Sequence, residues 1–383
     1  MVAELRKFPS DISESDEKLS WLRLIRSENV GTSTFYDLLR FYGTATRALE
    51  AVPELAERGG RNRPIRLCTK AQAEKEMAEH EAFGAKIILR SEKAYPALLR
   101  GVMDAPPVLS VLGDADLLSS ECIAIVGARN ASLNGRKFAE KLAAALGEEN
   151  WTISSGLARG IDTYAHRGSL ETGTIAVIAG GIDHIYPPEN KALYQRIREE
   201  GCVLSEAPFG AKPHATFFPK RNRIISGLSK GVVVVEAAQR SGSLITARFA
   251  LEQNREIFAV PGSPFDPRNR GSNELIRNGA MLIETVEDVI DGLNAPYPHG
   301  MLREVEDNVV ELSPPPAPIS TEVSEKLQKK VLESLGGASV SLDELTRECD
   351  SSPGEMQTVI LELELSGKIL RVPGNKVTLA YEG

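Results

Sequence analysis

The spacing of hydrophobic residues changes twice along the chain. Residues 19–80 have helical spacing, because Leu19, Leu22 and Ile25 form an apolar stripe and a second run extends over 34–41. The turn between these two runs contains Gly31, which resembles a helix-hairpin-helix, where backbone N–H groups can face a phosphate. A small helical packing domain is the simpler interpretation, because the turn has only one glycine.

From residue 86 onward, short apolar runs alternate with amphipathic segments. The predicted strands are Ile123–Val126, Trp151–Ser154, Ile175–Ala179, Val203–Ser205, Val232–Glu236, Ile257–Val260 and Met281–Ile283. The predicted helices between them are Gly135–Leu146, Ile161–Leu170, Glu189–Glu200, Pro219–Leu228, Leu244–Asn254 and Asn273–Asn278. Apolar strands that alternate with helices indicate a parallel sheet covered on both faces. The predicted fold class is therefore α/β, with a doubly wound, Rossmann-like parallel sheet.

The end of the chain has the pattern of a winged helix. Three helices are predicted over 322–335, 342–349 and 353–365, and a hairpin follows them. The domain boundaries that we predict are a flexible tail (1–18), a helical domain of helix-hairpin-helix or SAM-like type (19–84), the Rossmann-like domain (85–293), a Pro-rich acidic linker (294–318) and the winged helix (319–383).

The charge distribution indicates a focused anion site rather than a basic surface. The whole chain has a formal net charge of −8, yet residues 212–277 contain 11 basic and five acidic residues, a net +6. No apolar stretch reaches about 18 residues, and the N-terminus lacks an apolar signal region, so no membrane span and no secretion signal are predicted. The four scattered cysteines include no C-x-x-C, which is typical of a cytoplasmic protein without disulfides.

Candidate ligand-binding residues follow the first two parallel strands. Gly127 and Arg129 follow the first, and Ser155, Gly156 and Arg159 follow the second. In an open parallel sheet, ligands bind beyond the carboxyl ends of the strands, where helix N-termini favour anions. The glycines of a dinucleotide fingerprint are missing, so neither NAD nor FAD is expected and no cofactor is predicted. Downstream, Asp162 is predicted to cap a helix or to pair with Arg159, and His166 is expected to be structural.

The segment 217–228 gives the strongest indication of a ligand. Aromatic rings, cations and an amide cluster there at a helix N-terminus: Phe217, Phe218, Lys220, Arg221, Asn222 and Arg223. The spacing predicts that Lys220 and Arg223 share one helix face. Cations hold phosphates and aromatic rings stack on unpaired bases, so a nucleic-acid strand is the expected ligand.

The next strand end adds small polar residues and one carboxylate. Ser241, Gly242 and Ser243 open a helix there. Glu236 is a candidate general acid or base, or a residue that orients Arg223 or Arg240. We find no partner base, no Ser-His-Asp spacing and no cluster of metal ligands in the sequence. The sequence therefore predicts no catalytic residues, no metal site and no enzyme activity.

Taken in order, these motifs resemble those of the DNA processing protein A family, also called Smf. The matching segments are 127–129, 155–162, 218–228, 241–247 and 260–262; the resemblance is strong over 85–293 and weaker in the flanking domains. It implies a cytoplasmic protein that binds single-stranded DNA through the Rossmann-like domain, forms a homodimer, protects incoming strands and loads RecA in recombination during natural transformation (competence). A single-strand-binding protein is a further candidate partner. Arg129, Lys220, Arg221 and Arg223 are implied to contact the strand.

Two other classes of function remain alternatives. A nucleotide-binding phosphoribohydrolase is similar at the same strand ends, but that family has a Pro-Gly-Gly-x-Gly-Thr loop where this chain has residues 239–243, Gln-Arg-Ser-Gly-Ser. A winged-helix transcription regulator would need cations on its second motif helix. Residues 353–365 contain three glutamates and neither Lys nor Arg, so we predict that this domain packs on, or recruits, a protein and does not bind DNA on its own.

Overall fold

The computed structural model describes residues 14–295, 321–336, 338–372 and 374–380. These residues form two compact units, one of the described residues from 76 to 295 and one that combines those up to residue 75 with those from residue 321 onward. The linker predicted over 294–318 lies outside the described residues from 296 onward, as do residues 1–13 of the predicted tail. Residues 14–18, also assigned to the tail from the sequence, belong instead to a helix.

Four helices form the beginning of the described chain. They are α1 (Glu14–Ile25), α2 (Thr32–Tyr42), α3 (Ala45–Arg58) and α4 (Lys70–Phe83). Buried Glu17 in α1 accepts a hydrogen bond from the backbone N–H of Ala45 at 2.6 Å, which joins α1 to α3. In the turn before α2, the N–H groups of Glu28 and Val30 donate to the carbonyls of Arg66 and Ser27. These two N–H groups are used within the chain and are not available to a phosphate.

A nine-stranded sheet forms the centre of the α/β unit. Its strands are β1 (Lys86–Leu89), β2 (Val108–Gly113), β3 (Cys122–Gly127), β4 (Thr152–Ser155), β5 (Thr174–Val177), β6 (Cys202–Ser205), β7 (Gly231–Val235), β8 (Glu256–Ala259) and β9 (Met281–Leu282). Their order is β1-β2-β6-β5-β4-β3-β7-β8-β9. The seven strands from β3 to β9 are parallel, whereas β2 pairs antiparallel with both β1 and β6. All seven strands predicted for the parallel sheet are confirmed.

Helices cover both faces of this sheet, as the sequence predicts. They are α5 (Ala97–Arg100), α6 (Leu133–Glu148), α7 (Ile161–Gly168), α8 (Lys191–Glu200), α9 (Phe217–Leu228), α10 (Gly242–Glu252), α11 (Arg270–Arg277) and α12 (Val286–Asn294). Alternate residues of β3 face opposite sides, because Ile123 and Ile125 pack in the cluster with α6 and α7, whereas Ala124 and Val126 pack with α9 and α10.

The strand order creates a crevice at the carboxyl edge of the sheet. From β3 the chain moves through β4 and β5 to β6, then returns to β7 on the other side of β3 and continues to β8 and β9. The loops that follow β3 and β7 therefore lead in opposite directions. Such a switch point is where open α/β sheets bind ligands.

The C-terminal residues have the predicted winged-helix fold. It consists of α13 (Thr321–Ser334), β10 (Val340–Ser341), α14 (Leu342–Glu348), α15 (Pro353–Ser366), β11 (Ile369–Val372) and β12 (Lys376–Leu379), with sheet order β10-β12-β11. The predicted caps Ser341 and Ser352 are both confirmed as capping boxes, and Pro353 occupies the first turn of α15.

The second motif helix of the winged helix, α15, packs on the N-terminal helices. Glu362 of α15 is fully buried, and its carboxylate pairs with Arg58 of α3 at 2.8 Å. Ser324 and Gln328 of α13 donate to the same carboxylate at 2.6 and 2.8 Å. Leu361 and Leu365 are also buried on α15, although they are not part of the winged helix's own core.

Two polar contacts extend this packing. Arg371 of β11 pairs with Asp37 of α2 at 2.5 Å and with Glu364 at 3.0 Å. Asn29, in the turn before α2, donates to the carbonyl of Leu365 at 3.1 Å. The helix that reads the major groove in DNA-binding winged helices is thus covered by protein here, in agreement with the prediction that this domain packs on protein.

Candidate nucleic-acid interface

The ends of β3, β4 and β7 approach each other closely at the switch point. A Cβ on Gly127 would lie 1.9 Å from the carbonyl oxygen of Val235, so only glycine allows β3 and β7 to end side by side here. Gly156, at the end of β4, faces the guanidinium of Arg221, which a Cβ would meet at 2.4 Å. The predicted residues therefore converge on one edge of the sheet, where some of their side chains are exposed and others are buried.

Three side chains are presented together at this edge. The Arg129 guanidinium lies 5.3 Å from the centroid of the Phe218 ring. That ring lies 5.5 Å from the ring of Tyr186, which is 45% exposed. Arginine over an aromatic face is a favourable cation–π contact, and the same groups can bind a phosphate and stack on a base.

Tyr186 and nearby His184 also lie at this edge, although the sequence did not predict them as site residues. Both lie in the segment after β5, a strand whose carboxyl end lies at the same edge of the sheet. Together with Gly156, Gly180, Phe218 and Arg221 they line a small pocket. The signal was present, since residues 183–188 include an aromatic residue and two prolines a few residues after a predicted strand.

Lys220 is the exposed cation of the 217–223 segment. Its side chain is solvent-exposed, and the residues that the structure describes offer it no ion-pair partner. Phe217, one residue before Phe218, is half-buried and lies 6.2 Å from the ring of His214. Lys220 is thus free to neutralise a phosphate.

Arg221 is a buried cation beneath the pocket. It is 5% exposed, and its guanidinium donates to the carbonyls of Gly156 and Val177. Burial lowers the pKa of Arg221 to about 10, with Asp162 acting in the opposite direction, so it keeps its charge at neutral pH. Its Nε has no hydrogen-bond partner among the described residues. Arg221 therefore supplies positive potential from below and holds β4 and β5 together.

Arg223 and Asn222 are buried as well, which corrects the prediction that Lys220 and Arg223 share one face. Arg223 pairs with Glu206 at 2.5 Å and with Asp104 at 3.3 Å. Asn222 donates to the carbonyl of Gly242 at 3.2 Å and so links α9 to the start of α10. The first turn of α9 thus presents Lys220 to solvent and turns Asn222 and Arg223 inward.

The residues after β4 are mostly structural. The Ser155 hydroxyl donates to the carbonyl of Ile125 at 2.6 Å, inside the sheet. Asp162 accepts the N–H groups of Gly156 and Ala158 at 3.1 and 3.3 Å and does not pair with Arg159. The Arg159 guanidinium instead pairs with Glu189 at 2.6 Å, and both side chains are exposed.

His166 is buried, as the structural interpretation predicts. It accepts the N–H of Leu157 at Nε2, 3.3 Å, and its Nδ1 lies 2.7 Å from the Thr174 hydroxyl. Burial, together with the charge of Arg221, lowers the pKa of His166 to about 3, so the ring is neutral at physiological pH. A neutral, fully hydrogen-bonded histidine fixes the loop that follows β4.

Glu236 binds the loop after β3, rather than Arg223 or Arg240 as the sequence suggested. Its carboxylate accepts the N–H and the hydroxyl of Ser132, at 2.8 and 2.5 Å, at the N-terminus of α6. Ser241 caps α10 by accepting the N–H of Ser243, and the two hydroxyls lie 2.7 Å apart; Gly242 is exposed. Within the described ranges, no group of three or more His, Cys, Asp or Glu side chains is placed to hold a metal ion.

Fold and site together define a Rossmann-like protein whose ligand edge carries cations and aromatic rings. The chain matches the family of the DNA recombination-mediator protein A over residues 86–294, a DprA-like N-terminal HHH domain over 15–78 and a DprA winged helix domain over 313–375. It therefore belongs to the DNA recombination-mediator protein A family, also named DprA or Smf. Among the residues that are described, no helix is both long and apolar enough to cross a membrane.

Relatives with known sequences and structures agree with this assignment. The chain is 46% identical to DNA processing protein DprA of Bacillus subtilis over 57% of this chain and 74% of the relative, and 38% identical to protein Smf of Escherichia coli over 76% and 77%. The crystal structure of DNA processing protein A from Streptococcus pneumoniae has a TM-score of 0.59 at 35% identity and covers 72% of this chain and 96% of the other. A Helicobacter pylori structure, described for its single-stranded DNA binding mode, has a TM-score of 0.50 at 30% identity, with coverage of 55% and 95%.

Proposed function

We propose that this chain is a cytoplasmic recombination mediator that binds and protects single-stranded DNA and loads RecA onto it during natural transformation. The observation that carries the proposal is the group of Arg129, Phe218 and Tyr186 at the switch crevice, with exposed Lys220 nearby. The single-stranded DNA binding mode described for the Helicobacter pylori relative supports it. RecA loading and a homodimer follow from the family resemblance.

The division of roles within the motif follows from burial and from existing ion pairs, because exposed Arg159 is already paired with Glu189. Arg129 and Lys220 are the proposed phosphate contacts, and Phe218, with Tyr186, is the proposed base platform. Exposed Gly242 lets the backbone come close to the strand, whereas Gly127 allows β3 and β7 to end side by side. The remaining predicted residues position these groups from beneath or beside them: Ser155, Gly156, Arg159, Phe217, Arg221, Asn222, Arg223, Ser241 and Ser243.

We expect the full chain to prefer single-stranded over duplex DNA, with an affinity that falls steeply with salt. Unpaired bases can stack on Phe218, whereas paired bases are not available, and each stacked base contributes about 1–3 kcal/mol. Released counterions make the affinity depend on salt. The measurement is a salt titration by fluorescence anisotropy with a thymidine oligonucleotide and a duplex of equal length. Equal affinities at every salt concentration would contradict the proposal, and RecA filament formation on the same strand tests the loading step.

The alternative function, phosphoribohydrolase activity, needs Glu236 as an acid or base. Because Ser132 holds both carboxylate oxygens at the start of α6, we expect no release of free base from nucleoside monophosphates. The assay is chromatography of the products with the wild-type chain and with Glu236→Gln. Base release by the wild type that is lost in the variant would favour the enzyme.

A further inference from the structure

Two large apolar side chains of the α/β unit, Met103 and Phe265, are presented almost completely to solvent, and Phe265 is the aromatic one. Phe265 is 93% exposed and lies in the loop between β8 and α11. Burial of a phenylalanine ring is strongly favourable, so a loop that holds this ring in water forgoes that stabilisation. The site described above does not include this loop.

The loop around Phe265 is fixed at both ends by polar contacts. Gly262 donates to the Oδ1 of Asn273 at 3.1 Å and accepts from its Nδ2 at 2.8 Å. Asp266 caps the following short helix and pairs with Arg268 at 2.6 Å. The exposed ring therefore stands on a braced loop, and its exposure is a property of the fold.

A continuous path of contacts connects this loop to the switch crevice. The N–H of Gly271, at the start of α11, donates to the carbonyl of Ala237 in the loop after β7 at 2.7 Å. Glu236, the preceding residue, holds Ser132 in the loop after β3, close to Arg129. The loops after β3, β7 and β8 thus form one surface along the edge of the sheet.

Two exposed cations lie in or next to the loops that form this surface. Arg240 follows β7 and Arg270 opens α11, and neither has an ion-pair partner within the described part of the chain. The one nearby acidic side chain of the loop, Asp266, is neutralised by Arg268. An extended anionic ligand that carries flat rings fits this arrangement.

We propose that Phe265 is a second base-stacking platform, and that Arg240 and Arg270 bind the phosphates between it and the Phe218 site. The inference rests on the proposed function and extends its site past the switch point. The carboxyl ends of β5 and β8 are four strand spacings apart, about 19 Å at roughly 4.8 Å each. A short oligonucleotide therefore reaches only the Phe218 site, and a longer one reaches both.

The test uses the full chain and thymidine oligonucleotides of about 3 and about 16 nucleotides, measured by fluorescence anisotropy. Phe265→Ala is expected to weaken binding of the longer strand about tenfold and to leave the shorter one within about twofold. Phe265→Trp is expected to keep the affinity, with tryptophan fluorescence that the longer strand quenches. The matched control is Leu251→Ala, an exposed apolar residue near the end of α10.

The outcomes separate this inference from the proposed function. The second platform is overturned if Phe265→Ala binds the longer strand as well as the wild type does, or if its affinity falls equally for both lengths. The proposed function stands in either case. A lower molecular mass in light scattering without a change in DNA affinity assigns Phe265 to contact with a second copy and also overturns it. If the wild-type chain binds neither oligonucleotide, both proposals fail.

Discussion

Replacement of Arg129 by alanine is expected to weaken binding of single-stranded DNA by about 10- to 100-fold, the largest loss of any single exposed residue at the interface. Arg129 combines two roles, because its charge is available to a phosphate and its planar guanidinium lies over Phe218 at 5.3 Å. The loss of one phosphate contact also reduces the salt dependence by about one released ion. The measurement is the slope of log affinity against log salt for the wild-type chain and the variant.

Two further variants sharpen this experiment. Arg129→Lys keeps the charge but not the planar stack, so we expect it to restore the salt slope and only part of the affinity. Arg196→Ala is the matched control, because that arginine is exposed in the same domain and is already paired with Glu200 at 2.9 Å. An unchanged slope in Arg129→Ala, with the fold intact, would show that Arg129 does not contact phosphate.

The second large effect concerns stability. Glu362→Ala is expected to destabilise the unit formed by the two ends of the chain by about 3–5 kcal/mol. The substitution removes the buried partner of Arg58 and leaves Ser324 and Gln328 without their acceptor. Because a chain of two units does not unfold in one step, the measurement is native-state hydrogen exchange of the α15 amides.

A solvent-exposed pair on the same domain is the control for this prediction. Glu333→Ala removes the partner of Lys329, at 3.9 Å and largely exposed, and should change the stability of α13 by less than about 1 kcal/mol. If the α15 amides exchange as slowly in Glu362→Ala as in the wild type, the buried pair does not hold α15 on the N-terminal helices.

Most of the fold could be predicted from the sequence because its signals are local. Continuous apolar runs define β3 to β8, and the caps Ser341 and Ser352 fix where α14 and α15 begin. The antiparallel pairing of β2 with β6 was not predicted, because strand order depends on contacts between segments about 90 residues apart. The pattern of a strand does not specify its neighbour.

The sequence predicted where the candidate site lies, but it did not predict which of its side chains are exposed and which are buried. Lys220 and Arg223 are three residues apart, yet one is exposed and the other is buried. The partners of Arg223 are Glu206 and Asp104, which lie in distant parts of the sequence, so no local spacing reveals that its face of α9 points inward.

The packing of α15 on the N-terminal helices did have a signal. Leu361 and Leu365 are four residues apart and outside the winged-helix core, while Val359, Ile360 and Leu363 are within it. A helix that is apolar on more than one side is buried on more than one side. That pattern indicates a second partner for α15, although it does not identify α3 as that partner.

The union of the two chain ends has a consequence for biosynthesis. Arg58 and Asp37 emerge from the ribosome early, whereas Glu362 and Arg371, their partners, are translated about 300 residues later. At a translation rate of roughly 5–20 residues per second, about 15–60 s pass between the synthesis of the first helices and that of α15, which covers them. During that interval the whole α/β unit is synthesised and can fold as the inserted segment. The unit that contains these pairs is therefore completed only after the α/β unit, and a chain truncated before α15 lacks the helix that buries this face of its N-terminal helices.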